Sequence, residues 1–299
     1  MVVTAITFKL QSVHLTHTMI VYKKVEQLSN NIEKLRQKGL KIGFVPTMGA
    51  LHNGHISLVE LCKKANDISV CSIFVNPTQF NDPKDYEKYP VTIENDFLML
   101  EKSGTDIVFM PPVSEIYPAG YDESQHYALD YLETILEGKY RPGHFQGVCK
   151  VMDRLLQIVR TDNLYLGQKD YQQCMVIRKL IELKGFNTKI NISPTKREGN
   201  GLAMSSRNMR LSEKAKQDAS VIYKSLLFIR DNIRSKSIGQ LKEHVVQLIL
   251  SAGVEKVDYV EICNANTLEL IDVWDGKMPL VALCAAFIEG VRLIDNMLL

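Results

Sequence analysis

Lys41-Ile-Gly-Phe-Val45 runs directly into Pro46-Thr-Met-Gly-Ala-Leu-His52-Asn-Gly-His55, and then into a stretch, as far as about residue 66, whose Ile56, Val59 and Leu61 are expected to face inward. The first five residues read as a buried strand, Pro46 stops it, a loop reaches Gly54, and a helix follows. This strand–turn–helix unit recurs along the chain. A helix over 25–38 precedes it, with apolar Val25, Leu28, Ile32 and Leu35 and with Gly39 as its C-cap. Strands follow at 68–75, 106–110, 163–167 and 188–192, separated by helical patterns at 94–103, 146–160 and 170–184. Strands alternating with helices predict an α/β fold, a doubly wound, Rossmann-like parallel sheet. Ligands on such sheets bind beyond the carboxyl ends of the strands. The loops after Val45, Val75, Gly167 and Ile192 are therefore the places to look for chemistry.

Two stretches lack this rhythm. Residues 76–90 are polar and contain prolines, and read as a loop; residues 111–147 are irregular, with Gly138, Gly143 and Gly147. After Leu211 the pattern changes to two helices, 213–235 and 237–252, and then strands at 256–263 and 280–287. The expected layout is an N-terminal extension over 1–18, poorly ordered or appended, with Met19 as a possible internal start. A Rossmann-like domain follows over 19–195, then a smaller C-terminal α+β lid domain over 196–299.

The chain has 299 residues, enough to bury a large core without disulfides or metal. Lys+Arg 36 against Asp+Glu 34 leaves a net charge of +2, which argues against a nucleic-acid partner. No apolar run approaches the ~18 residues of a membrane span, and no secretory signal is evident. The six cysteines form no Cys-x-x-Cys pair, so reduced, buried thiols in a cytoplasmic protein are expected rather than a metal site.

Gly49 and Gly54 allow close backbone approach to a ligand, and the N-terminus of the helix after them offers N–H groups to an anion. His52 and His55, three residues apart where that helix opens, can point the same way and donate to oxygens that gain charge during group transfer. The alternative is that both only cap and pack. Lys169, just past a strand end, can hold phosphates as a point charge, or be a solvated surface lysine. Ser205, Ser206 and Arg207 can cover phosphates and steady a departing anion, or form a capped helix start. Gln79 and Gln173 can orient a carboxylate without neutralising it, or be ordinary exposed amides. Met48 and Phe80 can shield apolar substrate groups, or be core.

His52-Asn-Gly-His55 resembles the HxGH signature of nucleotidylyltransferases and class I aminoacyl-tRNA synthetases. The longer string Pro46 to His55 resembles the narrower pantoate–β-alanine ligase family. So do Ser72-Ile-Phe-Val-Asn-Pro-Thr-Gln79-Phe, Arg141-Pro-Gly-His-Phe-Gln-Gly147, Leu166-Gly-Gln-Lys169-Asp-Tyr-Gln-Gln173 and Gly201-Leu-Ala-Met-Ser205-Ser-Arg207-Asn. These blocks come in the family's order and spacing from Met19 to Leu299. The resemblance implies ATP-dependent condensation of pantoate with β-alanine to pantothenate, through a pantoyl adenylate, with release of AMP and pyrophosphate. It implies Mg²⁺ with the ATP, a homodimer, and pantoate, β-alanine and ATP as small-molecule substrates, with no nucleic-acid or membrane partner. It implies catalytic roles for His55, His52, Lys169 and Arg207. ATP would be bound by Met48, Gly49, Ala50, Leu51, His52, Asn53, Gly54 and His55, by Gly167, Gln168, Lys169 and Asp170, and by Lys196, Met204, Ser205, Ser206 and Arg207. Pantoate would be bound by Gln79, Gln173, Met48 and Asn76, with Asn76 holding either pantoate or the loop itself. Gln79 would also lie near β-alanine, and Asp96 falls where acidic residues assist Mg²⁺.

Two positions depart from the family pattern: Val91 stands where Tyr-Pro-Arg is usual, and Gln168 where Gly-Glu-Lys-Asp is usual. No residue looks like a covalent nucleophile, so the substrate carboxylate would attack the α-phosphorus. Water would have to be kept from the adenylate, with the loop over 79–89 and the lid domain expected to close over it. Three rivals are another transferase of the superfamily acting on a phosphate acceptor, a tRNA ligase, and a non-catalytic adenine-nucleotide sensor. The first would want extra Arg or Lys where this chain offers Gln79 and Gln173, and the second a larger basic surface.

Overall fold

The computed structural model describes residues 18–122 and 124–299, so the expectation for residues 1–18 falls, but for residue 18, outside the described residues. In chain order the elements of the first half are β1 (Ile20–Tyr22), α1 (Val25–Gln37), β2 (Ile42–Thr47), α2 (Asn53–Ala65), β3 (Ile68–Ile73), α3 (Pro83–Glu87), α4 (Ile93–Lys102), β4 (Ile107–Phe109), α5 (Val113–Ile116) and α6 (Leu136–Tyr140). The second half adds α7 (His144–Val159), β5 (Asn163–Gly167), α8 (Tyr171–Lys184), β6 (Lys189–Ser193), α9 (Glu213–Asp218), α10 (Ser220–Asn232), α11 (Ile238–Ser251), β7 (Lys256–Asn264), β8 (Leu280–Ile288) and β9 (Val291–Leu298). The chain forms two compact units. One comprises the described residues up to Asp130 with Arg141–Gly167 and Val176–Ser193; the other comprises Tyr131–Tyr140, Gln168–Met175 and Pro194–Leu299.

The first unit is the expected α/β layer structure. Its sheet has the order β1-β4-β3-β2-β5-β6, and every pairing is parallel. On one face Val59 and Cys62 of α2 and Leu100 of α4 close over Val45, Cys71 and Val108. Helix α7 is buried along most of its length, from His144 to Val159. The chain leaves β2 towards β3 on one side and returns to β5 on the other. That order reversal makes the carboxyl ends of β2 and β5 the edges of a ligand crevice. The ladder between these strands stops after Phe44 and Leu164, two residues before Pro46, which has no N–H to continue it.

The second unit is α+β. Strands β7, β8 and β9 form an antiparallel sheet in that order. Leu226 and Ile229 of α10 and Leu241, Val245 and Ile249 of α11 pack with Ile262, Ala282 and Cys284 of the sheet. A charged network is buried in the same unit. Arg292 reaches the Glu137 oxygens at 2.6 and 2.8 Å and the Asp258 carboxylate at 2.7 Å, and Tyr259 donates to Glu137 at 2.8 Å. Removing one partner of such a network typically costs about 3–5 kcal/mol, because the others stay buried and uncompensated.

Leu61, expected to face inward, is exposed on α2, whose buried face is Leu58, Val59 and Cys62. The reading of the sequence missed several elements. Strands β1 and β9 were not among those expected. Residues 76–90, expected to be loop, hold a 3₁₀ turn at Pro77–Gln79 and the short helix α3, which Asp82 caps and Pro83 opens. Helix α7 starts at His144, two residues earlier than its apolar pattern suggests, on a left-handed Gly143.

Candidate active site

The turn after β2 delivers the two histidines. His52 is the N-cap of α2, and its Nδ1 accepts from the Gly54 N–H at 3.1 Å. His55 reaches back, its Nδ1 accepting from the His52 N–H at 3.3 Å, and the two ring centroids lie 4.0 Å apart. The capping reading of these residues is therefore true, and it leaves the chemical one open. A neutral imidazole that accepts at Nδ1 carries its hydrogen on Nε2, so each cap fixes one tautomer.

The turn itself depends on two successive left-handed residues, Gly49 at φ +80° and Ala50 at φ +49°. A Cβ on Gly49 would sit 3.0 Å from an Asp96 carboxylate oxygen. The left-handed conformation costs a residue with a Cβ about 1–2 kcal/mol, and Asp96 offsets it at Ala50. Its carboxylate, buried on α4, accepts from the N–H groups of Ala50 at 2.9 Å and Leu51 at 2.8 Å and from the Thr92 hydroxyl at 2.9 Å. In this structure Asp96 is thus a holder of the histidine turn.

The loop after β3 carries Gln79, and the buried Asn76 amide organises it. Asn76 Oδ1 accepts from the Tyr117 hydroxyl at 2.8 Å and from the Thr78 hydroxyl at 3.0 Å, while its Nδ2 donates to Gly147 O at 3.2 Å and Gln79 Oε1 at 3.1 Å. Burial pushes the Tyr117 phenol up to about 12, which keeps it a donor and fixes the orientation of the Asn76 amide. Gln79 therefore presents its carboxamide oxygen to Asn76, and its Nε2 lies 2.9 Å from the Met48 sulfur. Its backbone is held from the start of α7 and the residues before it: His144 Nδ1 lies 2.7 Å from Gln79 O, and Arg141 Nη2 donates to the same oxygen at 3.5 Å. A Cβ on Gly147 would fall 2.1 Å from Thr78 O, so only glycine lets α7 lie this close to the turn.

These same loops line a cleft of about 190 Å³ at the carboxyl ends of β2, β3 and β4, between Met48, Ala50, Phe74, Thr92, Met110 and Val113. Val91, one of the departures from the family pattern, stands at this cleft and is 68% exposed.

In the second unit, Gln168, Lys169 and Asp170 form a 3₁₀ turn, and the Lys169 ammonium lies 3.7 Å from the Asp170 carboxylate. Gln168, the other departure, donates to Asn296 Oδ1 at 3.1 Å, an amide–amide pair. Gln173 is half-buried on α8 beside Gln172, whose side chain is tied to the backbone of Leu132, Ile135 and Glu137. Residues 196–204 form a tight reversal, with Met204 N–H donating to Lys196 O at 2.9 Å and Arg197 bridging Ala203. Ser205 then caps the 3₁₀ helix Ser206–Arg210 through its hydroxyl. The structure thus brings together Met48 to His55, Asn76, Gln79 and Asp96 within the first unit. Within the second it groups Gln168, Lys169 and Asp170, and separately Lys196 with Met204, Ser205, Ser206 and Arg207. Tyr117, His144, Arg197 and Asn296 escaped the sequence reading. His144 at least lies inside the quoted block from Arg141 to Gly147; the others carry no local signal.

A histidine-bearing, helix-opening turn at the carboxyl edge of a parallel sheet defines a class of α/β proteins, and comparison with known proteins narrows that class to a family. The family model described as Pantoate-beta-alanine ligase matches residues 20–298. The pantothenate synthetase of Azobacteroides pseudotrichonymphae is 44% identical over 279 residues, covering 93% of this chain and 99% of that protein. The crystal structure of a pantothenate synthetase from Thermus thermophilus superposes with a TM-score of 0.86 at 36% identity, over 93% of this chain and 98% of that one. A Francisella tularensis pantoate-beta-alanine ligase, complexed with beta-gamma ATP and beta-alanine, gives a TM-score of 0.79 at 40% identity, over 94% of this chain and 98% of that one. The chain belongs to the pantoate-beta-alanine ligase family and is an enzyme of that ligase class.

Proposed function

We propose that this ligase joins pantoate to β-alanine in two steps, using ATP. In the first, a pantoate carboxylate oxygen attacks the α-phosphorus of ATP. The bond to the β-phosphate oxygen breaks, and pyrophosphate leaves. In the second, the β-alanine amine attacks the acyl carbon of pantoyl adenylate. The C–N bond forms, AMP departs with the electrons of the C–O bond, and the amine gives up a proton. The family match from residue 20 to 298 carries this reading, and the ATP and β-alanine of the Francisella complex support it.

The roles follow from chemistry already described. Nε2–H of His52 and His55 donates to phosphate oxygens as charge builds on them. Met48 to Gly54 form the turn that presents these two rings, and the opening of α2 adds a favourable field for the same charge. Lys169 holds the phosphate chain, with Gly167, Gln168 and Asp170 shaping its turn. Ser205, Ser206 and Arg207 steady the departing pyrophosphate, and the backbone at Lys196 and Met204 reads adenine. Gln79 and Gln173 orient pantoate by neutral hydrogen bonds, which leave the carboxylate its nucleophilicity; Met48 covers its methyl groups, and Gln79 also meets β-alanine. Asn76 acts on pantoate by fixing Gln79. Mg²⁺ enters with the ATP phosphates as part of the substrate, since the Asp96 oxygens already accept three hydrogen bonds. The enzyme works as a homodimer in the cytoplasm. Among the described residues no helix is long and apolar enough to cross a membrane.

Exchange of labelled pyrophosphate into ATP tests the reading. Exchange that requires pantoate, followed by pantothenate formation on adding β-alanine, is the expected result. Exchange that proceeds without pantoate, or its absence with pantoate present, overturns it.

A further inference from the structure

Lys169 is a long, flexible cation on a three-residue turn, and such a turn needs an anchor to hold its side chain at one place. The anchor lies on β9. Asn296, 2% exposed, donates from Nδ2 to two carbonyls of the turn, Gln168 O at 2.9 Å and Lys169 O at 2.8 Å. Its Oδ1 accepts from Gln168 Nε2 at 3.1 Å, so the amide orientation is settled from both ends. Asn296 is steadied in turn by its neighbour. The Asn296 N–H donates to Asp295 Oδ1 at 2.8 Å, and Asp295 is paired with Arg197 at 2.5 and 3.0 Å. Arg197 also donates to Gly201 O at 3.1 Å and stacks 4.0 Å above the Tyr223 ring. One pair of adjacent strand residues thus grips the Lys169 turn with one side chain and the base of the 196–204 reversal with the other.

We propose that Asn296 is a positioning residue for Lys169, setting where its ammonium meets the triphosphate during adenylate formation. The proposal rests on the two-step ligase reading above. The ammonium is placed on the β- and γ-phosphates, so its effect falls on the first step; the finished adenylate has lost both and keeps only the α-phosphate.

The test compares wild type, N296A, K169A and K169A/N296A in two assays: pantoate-dependent ATP–pyrophosphate exchange, and aminolysis of supplied pantoyl adenylate by β-alanine. N296A is expected to slow exchange about tenfold or more and to raise KM for ATP, because small misplacements of a binding group carry large rate penalties. Aminolysis should stay within about twofold of wild type, and the double variant should exchange no more slowly than K169A alone. The ratio of exchange to aminolysis does not depend on how much of the enzyme is folded. Should N296A give too little protein, N296S enters the same cycle. Equal losses in both assays, multiplying losses in the double variant, or an unchanged exchange rate overturn the proposal. A wild-type enzyme lacking pantoate-dependent exchange would instead defeat the ligase reading.

Discussion

At the scale of single residues, local hydrogen bonding and chemistry coexist on the same side chains. His55 closes a capping box with Nδ1, which in a neutral ring puts the hydrogen on Nε2. His55→Ala is expected to lower pantoate-dependent exchange about 100-fold or more, while the lost cap costs only about 0.5–2 kcal/mol of stability. Near-normal exchange in a folded variant would remove His55 from the chemistry. Asp96 offers a sharper contrast. Asp96→Ala removes the acceptor for Ala50 and Leu51, leaving buried N–H groups unpaired at about 1–3 kcal/mol. A drop in Tm, with KM raised for both ATP and pantoate, should follow, and the Mg²⁺ concentration giving half-maximal activity should not change. A shifted Mg²⁺ dependence would make Asp96 a metal ligand instead. The sequence made the His52 to His55 turn legible because a local string and a helix start coincide there. It carried no sign that Asp96 braces that turn, since a carboxylate accepting backbone N–H groups 45 and 46 residues away leaves no pattern in its own neighbourhood.

Secondary-structure elements set the position of the glutamine. Helix α7 meets the Pro77–Gln79 turn with no side chain at Gly147 between them. Gly147→Ala would force them apart, and overpacking of this kind typically costs about 1–3 kcal/mol. The expected outcome is a KM for pantoate raised by more than the KM for ATP, read from initial rates. Equal changes in both would mean that the contact only stabilises the fold. The long strands and helices of the sheet were legible because apolar runs and helical spacing mark them. Strand β1, with three residues, is too short to carry a pattern, and α3 is hidden by its polar composition although Asp82-Pro83 is a proper helix start. In β9 the alternation begun by Val291 and Leu293 is broken by two buried polar residues, Asp295 and Asn296. The pair that obscured the strand is the same pair that anchors the Lys169 turn.

Across the whole molecule, alternating elements foretold a parallel sheet, but not the contacts that join distant parts of the chain. Glu137 and Arg292 stand 155 residues apart, and neither carries a local mark of the pairing. The cysteines allow a prediction at this scale. All six are buried, three in each compact unit, and burial pushes the thiols of Cys62 and Cys263 up to about 12. The native enzyme should not react with a thiol reagent at pH 8, and all six thiols should react in denaturant. A folded thiol that keeps its proton while the unfolded one, with pKa ~8.5, loses it makes stability fall as pH rises. Each such thiol should weaken the fold by up to about 1.4 kcal/mol per pH unit between about pH 8.5 and the folded value, so that Tm declines on the alkaline side. Fast labelling of the native protein would show that the thiols are more open than their burial implies.

The carbonyl of Gln79 is gripped by His144, 65 residues further along the chain, and the turn around it leaves no room for a Cβ at Gly147. A protein engineer who transplants the glutamine turn into another scaffold must therefore carry residues 141–147 with it. Swapped between two relatives without its matching helix start, the loop would keep its sequence and lose its address.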